Sequence, residues 1–164
     1  MSKKDKDDVI LFISDLHAPY QHKDAIAFLA AIKKKYKPSR VINVGDEVDY
    51  HAMSFHASDP DLDSASVELE RASATMQQLE RIFPKMELVN SNHGSMVYRK
   101  AKVNGMPRHV LKGYNEILGV GEGWVWTNDI HLVEENIFVC HGRKKNSEMY
   151  AKQMGCNVVQ GHYH

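Results

Sequence analysis

The sequence predicts an α/β domain in which short parallel strands alternate with helices. Three observations carry this reading. Short apolar runs recur and end in polar turns, the stretches between them repeat apolar residues at helical spacing, and prolines or glycines close most of those stretches.

The run from Val9 to Ser14 is the first buried strand. Asp24 to Ile32 has helical spacing and leads into Lys33, Lys34 and Lys35, cations suited to the negative end of a helix, before Pro38 stops it. Arg40 to Gly45 is the second strand. The chain from Tyr50 to Asp63 is irregular, with Asp59-Pro60-Asp61 as a turn signal. Ser64 to Phe83 reads as one long helix; Val67, Leu69, Ala72, Met76, Leu79 and Phe83 supply its apolar face, and Pro84 ends it.

Met86 to Asn90 is the third strand, and Ser95–Lys102 and Pro107–Leu118 are predicted helices. After a loop at Gly119–Gly123, the segments Gly123–Thr127, Ile130–Glu134 and Asn136–Cys140 are read as strands of a second sheet region. One of Trp124 and Trp126 is expected in the core, the other at an edge or stacked on a base. Ser147–Met154 is a helix closed by Gly155, and Asn157–Gln160 is the last strand.

At 164 residues the chain is expected to form a single domain over residues 9–164, with the charged segment 1–8 as a disordered tail. Lysine plus arginine and aspartate plus glutamate balance at 21 each, so no global field draws in nucleic acid or an acidic membrane, although local basic patches remain open. The start resembles no signal peptide, and no run reaches the ~18 apolar residues of a membrane span. Cys140 and Cys156 make no disulfide framework; both read as small buried hydrophobes, which suits a reducing, cytoplasmic setting.

The chemistry lies in clusters at the ends of the apolar runs. They are Asp15-Leu16-His17, Gly45-Asp46-Glu47-Val48-Asp49, Ser91-Asn92-His93-Gly94, His141-Gly142 and Gly161-His162-Tyr163-His164. Each alone is ordinary turn chemistry. In open α/β sheets, however, ligands gather beyond the carboxyl ends of the strands, and all the clusters sit there. Together they hold enough Asp, Asn and His for two metal ions held close together, a type of site that hydrolyses phosphate esters.

With these motifs the chain, from Asp15 to His164, resembles the calcineurin-like metallophosphoesterases, and more loosely their small phage and bacterial members. The resemblance implies a central β-sandwich flanked by helices. It also implies a phosphate-ester substrate and two divalent ions, Mn²⁺ first, with Fe, Zn²⁺, Ni²⁺ or Mg²⁺ as alternatives. By motif, Asp15 and His17 bind the first ion, Asp46 bridges both, Asn92, His141 and His162 bind the second, and His164 returns to the first. His93 is the acid that assists the leaving oxygen, and Asp49 orients it by pairing with its other nitrogen. The implied reaction is direct attack by a metal-activated hydroxide, with a phosphodiesterase or nuclease ahead of a phosphomonoesterase. A non-catalytic module that docks phosphate through its metals is the rival from another class.

The chain departs from the family pattern at two places. Ser91 and Gly94 stand where Gly-Asn-His-Asp or Gly-Asn-His-Glu has its glycine and its acid. The sequence also stops at His164, where relatives continue through further strands, so the second sheet is expected to lack its usual C-terminal strands and a second subunit to cover the bare edge. His51 and His56 are candidates for lining the substrate cleft. Arg99, within the basic stretch from Tyr98 to Arg108, and Arg143 are candidate phosphate or nucleic-acid contacts. His22, His109 and His131 are expected at the surface.

Overall fold

The computed structural model describes residues 9–57 and 59–163. The expectations for the 1–8 tail and for His164 lie outside the described residues.

Four strands form a parallel sheet in the order β1 (Ile10–Ile13), β2 (Arg40–Asn43), β3 (Met86–Val89), β4 (Trp124–Thr127). The connections carry helix α1 (Ala25–Tyr36), helix α2 (Ala65–Ile82), and the pair α3 (Met96–Val103) and α4 (Tyr114–Leu118). A second sheet holds β5 (Ile130–Leu132), β6 (Ile137–His141) and β7 (Asn157–Gly161). In it β5 pairs antiparallel with β6, and helix α5 (Ser147–Met154) carries the chain across to β7, which lies parallel to β6.

Side chains alternate across each strand, and the two faces of the first sheet bury different partners. Ile13, Val41, Met86, Leu88 and Trp124 meet the helices through residues such as Leu29, Ala72, Met76 and Leu79. On the opposite face Ile42, Val44 and Val89 pack against Ile130, Leu132 and Val139 of the second sheet. The result is a two-sheet sandwich with α1 to α4 against the first sheet and α5 against the second, where Tyr150 meets Phe138 edge to face. No helix among the described residues is long and apolar enough to cross a membrane.

Several expectations need correction. The segment 124–127 belongs to the first sheet, pairing Met86 with Trp124 through Val89 with Thr127. The long helical connection after β3 is what returns the chain to a parallel neighbour. Trp124 and Trp126 do not split between core and edge, because residues two apart share a strand face. Val125 between them is 55% exposed, Trp124 is buried, and Trp126 is half-buried and stacked on Tyr114. The helix expected over Pro107–Leu118 divides into a 3-10 turn (Arg108–Val110) and α4, with extended backbone at Leu111 and Gly113, where a glycine disfavours helix. Strand β5 stops at Leu132, ahead of a turn in which Asn136 N–H donates to the Val133 carbonyl. Val67 faces outward on α2, 43% exposed. Cys140 is buried and Cys156 half-buried, both unbridged.

Candidate metal centre

The strands deliver their carboxyl ends to one edge of the sandwich. Asp15 follows β1, Asp46 follows β2, Asn92 follows β3, His141 ends β6 and His162 follows β7. Beyond the strands the first two loops stay paired. Asp15 N–H donates to Gly45 O (3.0 Å), His17 N–H to Asp46 O (2.9 Å) and Ala18 N–H to Glu47 O (3.0 Å). This ladder brings two acid-bearing loops side by side.

The loops bend through unusual backbone. Asp15, His17, Asp46, Tyr50 and His162 all have positive φ, between 50° and 78°, although none is glycine. Each costs on the order of 1–3 kcal/mol, and such residues cluster where a fold aims side chains at a site. Gly45, at φ 106°, has no alternative: a Cβ there would meet His141 Nδ1 at 2.6 Å and Ser91 Cβ at 2.7 Å.

Asp46 is the centre of the arrangement. It is 2% exposed. Its Oδ2 lies 3.1 Å from His141 Nε2 and 3.7 Å from His17 Nε2, and its Oδ1 accepts the His93 backbone N–H at 3.2 Å. Ligand-type atoms of Asp15, His17 and Asp46 lie within 4.8 Å of one another, and so do those of Asp46, His141 and His162. Asp46 is common to both groups. Asn92 Oδ1 stands 3.0 Å from His141 Nε2, and the His162 N–H donates to Asp15 Oδ1 at 2.9 Å.

The donor set fits divalent ions, and one detail tests the fit. His141 Nδ1–H donates to the Val44 carbonyl at 2.8 Å, which leaves Nε2 as the imidazole's lone-pair nitrogen. That lone pair faces the Asp46 carboxylate and the Asn92 oxygen at close range. Acceptors converging this way need a proton or a cation among them. Hard oxygens with imidazole nitrogens and no thiolate suit Mn²⁺, Fe or Zn²⁺.

The electrostatics agree. Burial pulls His141 down, but its hydrogen bond to Asp46 and that residue's charge outweigh burial and hold the imidazole above its ordinary value. The Asp49 carboxylate raises His17. Burial pushes Asp46 up, yet His141 and Ser91 more than offset it and leave the carboxyl below its usual range. Both histidines therefore keep a proton above the ordinary 6.5, and arriving ions must displace it. These protonated imidazoles stabilise the metal-free fold below about pH 6.5, a contribution lost as pH rises through their raised values. Mn²⁺ binding near pH 7 is accordingly expected to release protons and to tighten with rising pH. Calorimetric titrations in buffers of different ionisation heat check this; identical heats in all buffers contradict it.

Asp49 and His93 stand together, but their contact differs from the expected carboxylate–imidazole pair. The Asp49 carboxylate accepts from His17 Nδ1 at 2.7 Å and lies 3.6 Å from His93 Nδ1. His93 Nδ1 has the Asp49 backbone carbonyl at 2.5 Å instead. The two imidazoles meet edge to face, 4.8 Å apart.

The candidate substrate residues are more scattered. His51 Nε2 accepts the Asp59 N–H, and its backbone N–H and that of Ala52 are capped by buried Glu68. His56 is exposed. Arg99 donates to the Asn92 carbonyl and, with Lys100, lies over the Phe55 ring. Arg143 Nη2 donates to both Asp129 oxygens at 2.9 Å and borders a pocket of about 280 Å³ with Asn90, Asn128, His141 and His162. His22, His109 and His131 are exposed, as expected.

Sequence reasoning passed over Glu47. It is 1% exposed, its Oε1 accepts from Trp126 Nε1 at 3.0 Å, and burial raises its carboxyl. It lies against Gly94: a Cβ at 94 would stand 2.9 Å from Glu47 Oε1. The acid absent at 94 is thus matched by a carboxylate packed into the same space from the neighbouring loop. A second acid there would crowd the buried Glu47 carboxylate and set like charges side by side. Gly94→Asp is expected to destabilise the fold by roughly 1–3 kcal/mol through overpacking and charge repulsion, read by chemical denaturation. Glu47 beside Asp46, and Gly94 in the place of the family's acid, were each legible, but only the fold brings them into contact. The Ser91 hydroxyl, which accepts the Gly94 N–H at 3.0 Å, was passed over too.

A family model described as Calcineurin-like phosphoesterase matches residues 9–162, so the chain belongs to that family. No curated protein matches the chain. Membership and the ligand clusters together support metal-dependent hydrolysis of phosphate esters.

Proposed function

We propose that this calcineurin-like phosphoesterase cleaves phosphodiesters, in a nucleic acid or a smaller nucleotide, with two ions held by Asp15, His17, Asp46, Asn92, His141 and His162. The observation that supports it most is one buried carboxylate, Asp46, common to two ligand groups with His93 beside it. Two divalent ions in such a site supply an activated water and positive charge against the phosphate oxygens. Mn²⁺ is the proposed native ion.

The protein's own residues do the rest. Asp46 holds both ligand groups in one geometry. The backbone N–H of His93 donates to Asp46 and ties the His93 turn to that carboxylate. The carbonyl of Asp49 accepts from His93 Nδ1, so only the doubly protonated ring carries a second proton at Nε2; that form would hand it to the departing oxygen and return to the neutral imidazole. The preference for a diester rests on charge. Arg99 and Arg143, which flank Asn92 and His141, are already engaged by a carbonyl, an aromatic ring and Asp129. A monoanionic diester needs less added positive charge than a dianionic monoester, and the pocket beside His141 leaves room for its second ester group.

Turnover of bis-p-nitrophenyl phosphate, p-nitrophenyl phosphate and single-stranded DNA with Mn²⁺ tests the reading. Faster diester cleavage is expected. Monoester preference would indicate a phosphatase, and no turnover with any divalent metal a phosphate-docking module.

A further inference from the structure

We infer that Asp49 is a positioning residue for the metal ligand His17, through its side chain, while its hydrogen bond to His93 comes from its main chain. The inference rests on the two-ion reading above but divides its labour in a new way.

The distances separate the two tasks. A hydrogen bond needs its heavy atoms within about 3.2 Å. The Asp49 carboxylate meets that limit with His17 Nδ1 at 2.7 Å and misses it with His93 Nδ1 at 3.6 Å. The carbonyl of the same residue accepts from His93 Nδ1 at 2.5 Å. One residue thus fixes the tautomer of two histidines with two different acceptors. With Nδ1–H given to the carboxylate, His17 presents Nε2 toward Asp46 Oδ2, 3.7 Å away, a span that an ion bound by both atoms would fill. A carboxylate behind a ligating imidazole orients the ring and raises its basicity toward the ion.

The backbone of residue 49 is itself held. Its N–H donates to the Ala18 carbonyl, one residue past His17, at 3.0 Å. Replacing the side chain therefore leaves the carbonyl in place against His93. The consequence is a separation of effects. Loss of the carboxylate weakens one of the two ions and leaves the hydrogen bond that holds His93 in place.

The test is Mn²⁺ binding, by calorimetry, to the wild-type protein, Asp49→Asn and Asp49→Ala, with kcat measured at saturating Mn²⁺. Asn keeps an oxygen that can accept from His17; Ala keeps none. One of the two Mn²⁺ sites is expected to weaken about 10- to 100-fold in Asp49→Ala and by less in Asp49→Asn. The other site should hold within about threefold, and excess Mn²⁺ should restore kcat to within about threefold in both variants. Unchanged Mn²⁺ affinity overturns the inference. So does a loss in kcat beyond about tenfold that excess Mn²⁺ fails to restore, since that loss would place the carboxylate on His93. Melting of the metal-free variants shows that they are folded. If no phosphodiester is turned over even by the wild-type protein, the proposed function fails while the Mn²⁺ comparison still decides the role of Asp49.

Discussion

Asp46→Asn is expected to abolish turnover and empty the site of both ions. The carboxylate is buried, faces His141 Nε2 and His17 Nε2 with one oxygen, and holds the His93 main chain with the other. The amide keeps the shape and loses the charge. It also directs its NH₂ either at the imidazole lone pairs, where it occupies the nitrogens the ions need, or at the His93 N–H, where two donors face each other. Both ligand groups lose their common member, so both ions weaken together. The rate should fall by at least about a thousandfold, some 4 kcal/mol of barrier. Elemental analysis beside kinetics reads this. Two retained ions with a rate within tenfold of wild type would show that Asp46 bridges nothing.

His93→Ala should separate chemistry from metal binding. His93 donates to Asp46 through its main-chain N–H, which alanine retains. Its ring is held instead by the Asp49 carbonyl, outside the two ligand groups that share Asp46. Both ions should therefore stay, while the rate falls roughly 10²- to 10⁴-fold, the range for removing a general acid. The loss should be smallest for esters of p-nitrophenol, whose leaving oxygen needs little proton assistance, and largest for alkyl esters. Equal losses across leaving groups, or loss of an ion, would take the acid role away from His93.

The strand ends were legible because each is an apolar run cut off by a polar cluster, and a parallel sheet sends such ends to one side. Asp15, Asp46, Asn92, His141 and His162 arrive at that side for this reason alone. The helix over Ser64–Phe83 was legible to within a residue or so, since its apolar face repeats over many turns and Pro84 bounds it. What escaped was long-range. Nothing local to Gly123–Thr127 tells which sheet it joins; that depends on the helical connection returning it beside β3. The partner of Asp49 escaped for a similar reason. Its side chain and its carbonyl diverge at one residue, and a spacing rule cannot tell which of them meets His93. Glu47 escaped because a carboxylate in a ligand loop reads as solvated until Trp126 and Gly94 close over it.

Anomalous diffraction from Mn²⁺-soaked crystals tests the central claim most directly. Two peaks are predicted on either side of the Asp46 carboxylate, about 3.5–4 Å apart, one beside Asp15 and His17 and the other beside Asn92, His141 and His162. A single peak away from Asp46, or none in a fully loaded crystal, would contradict the account.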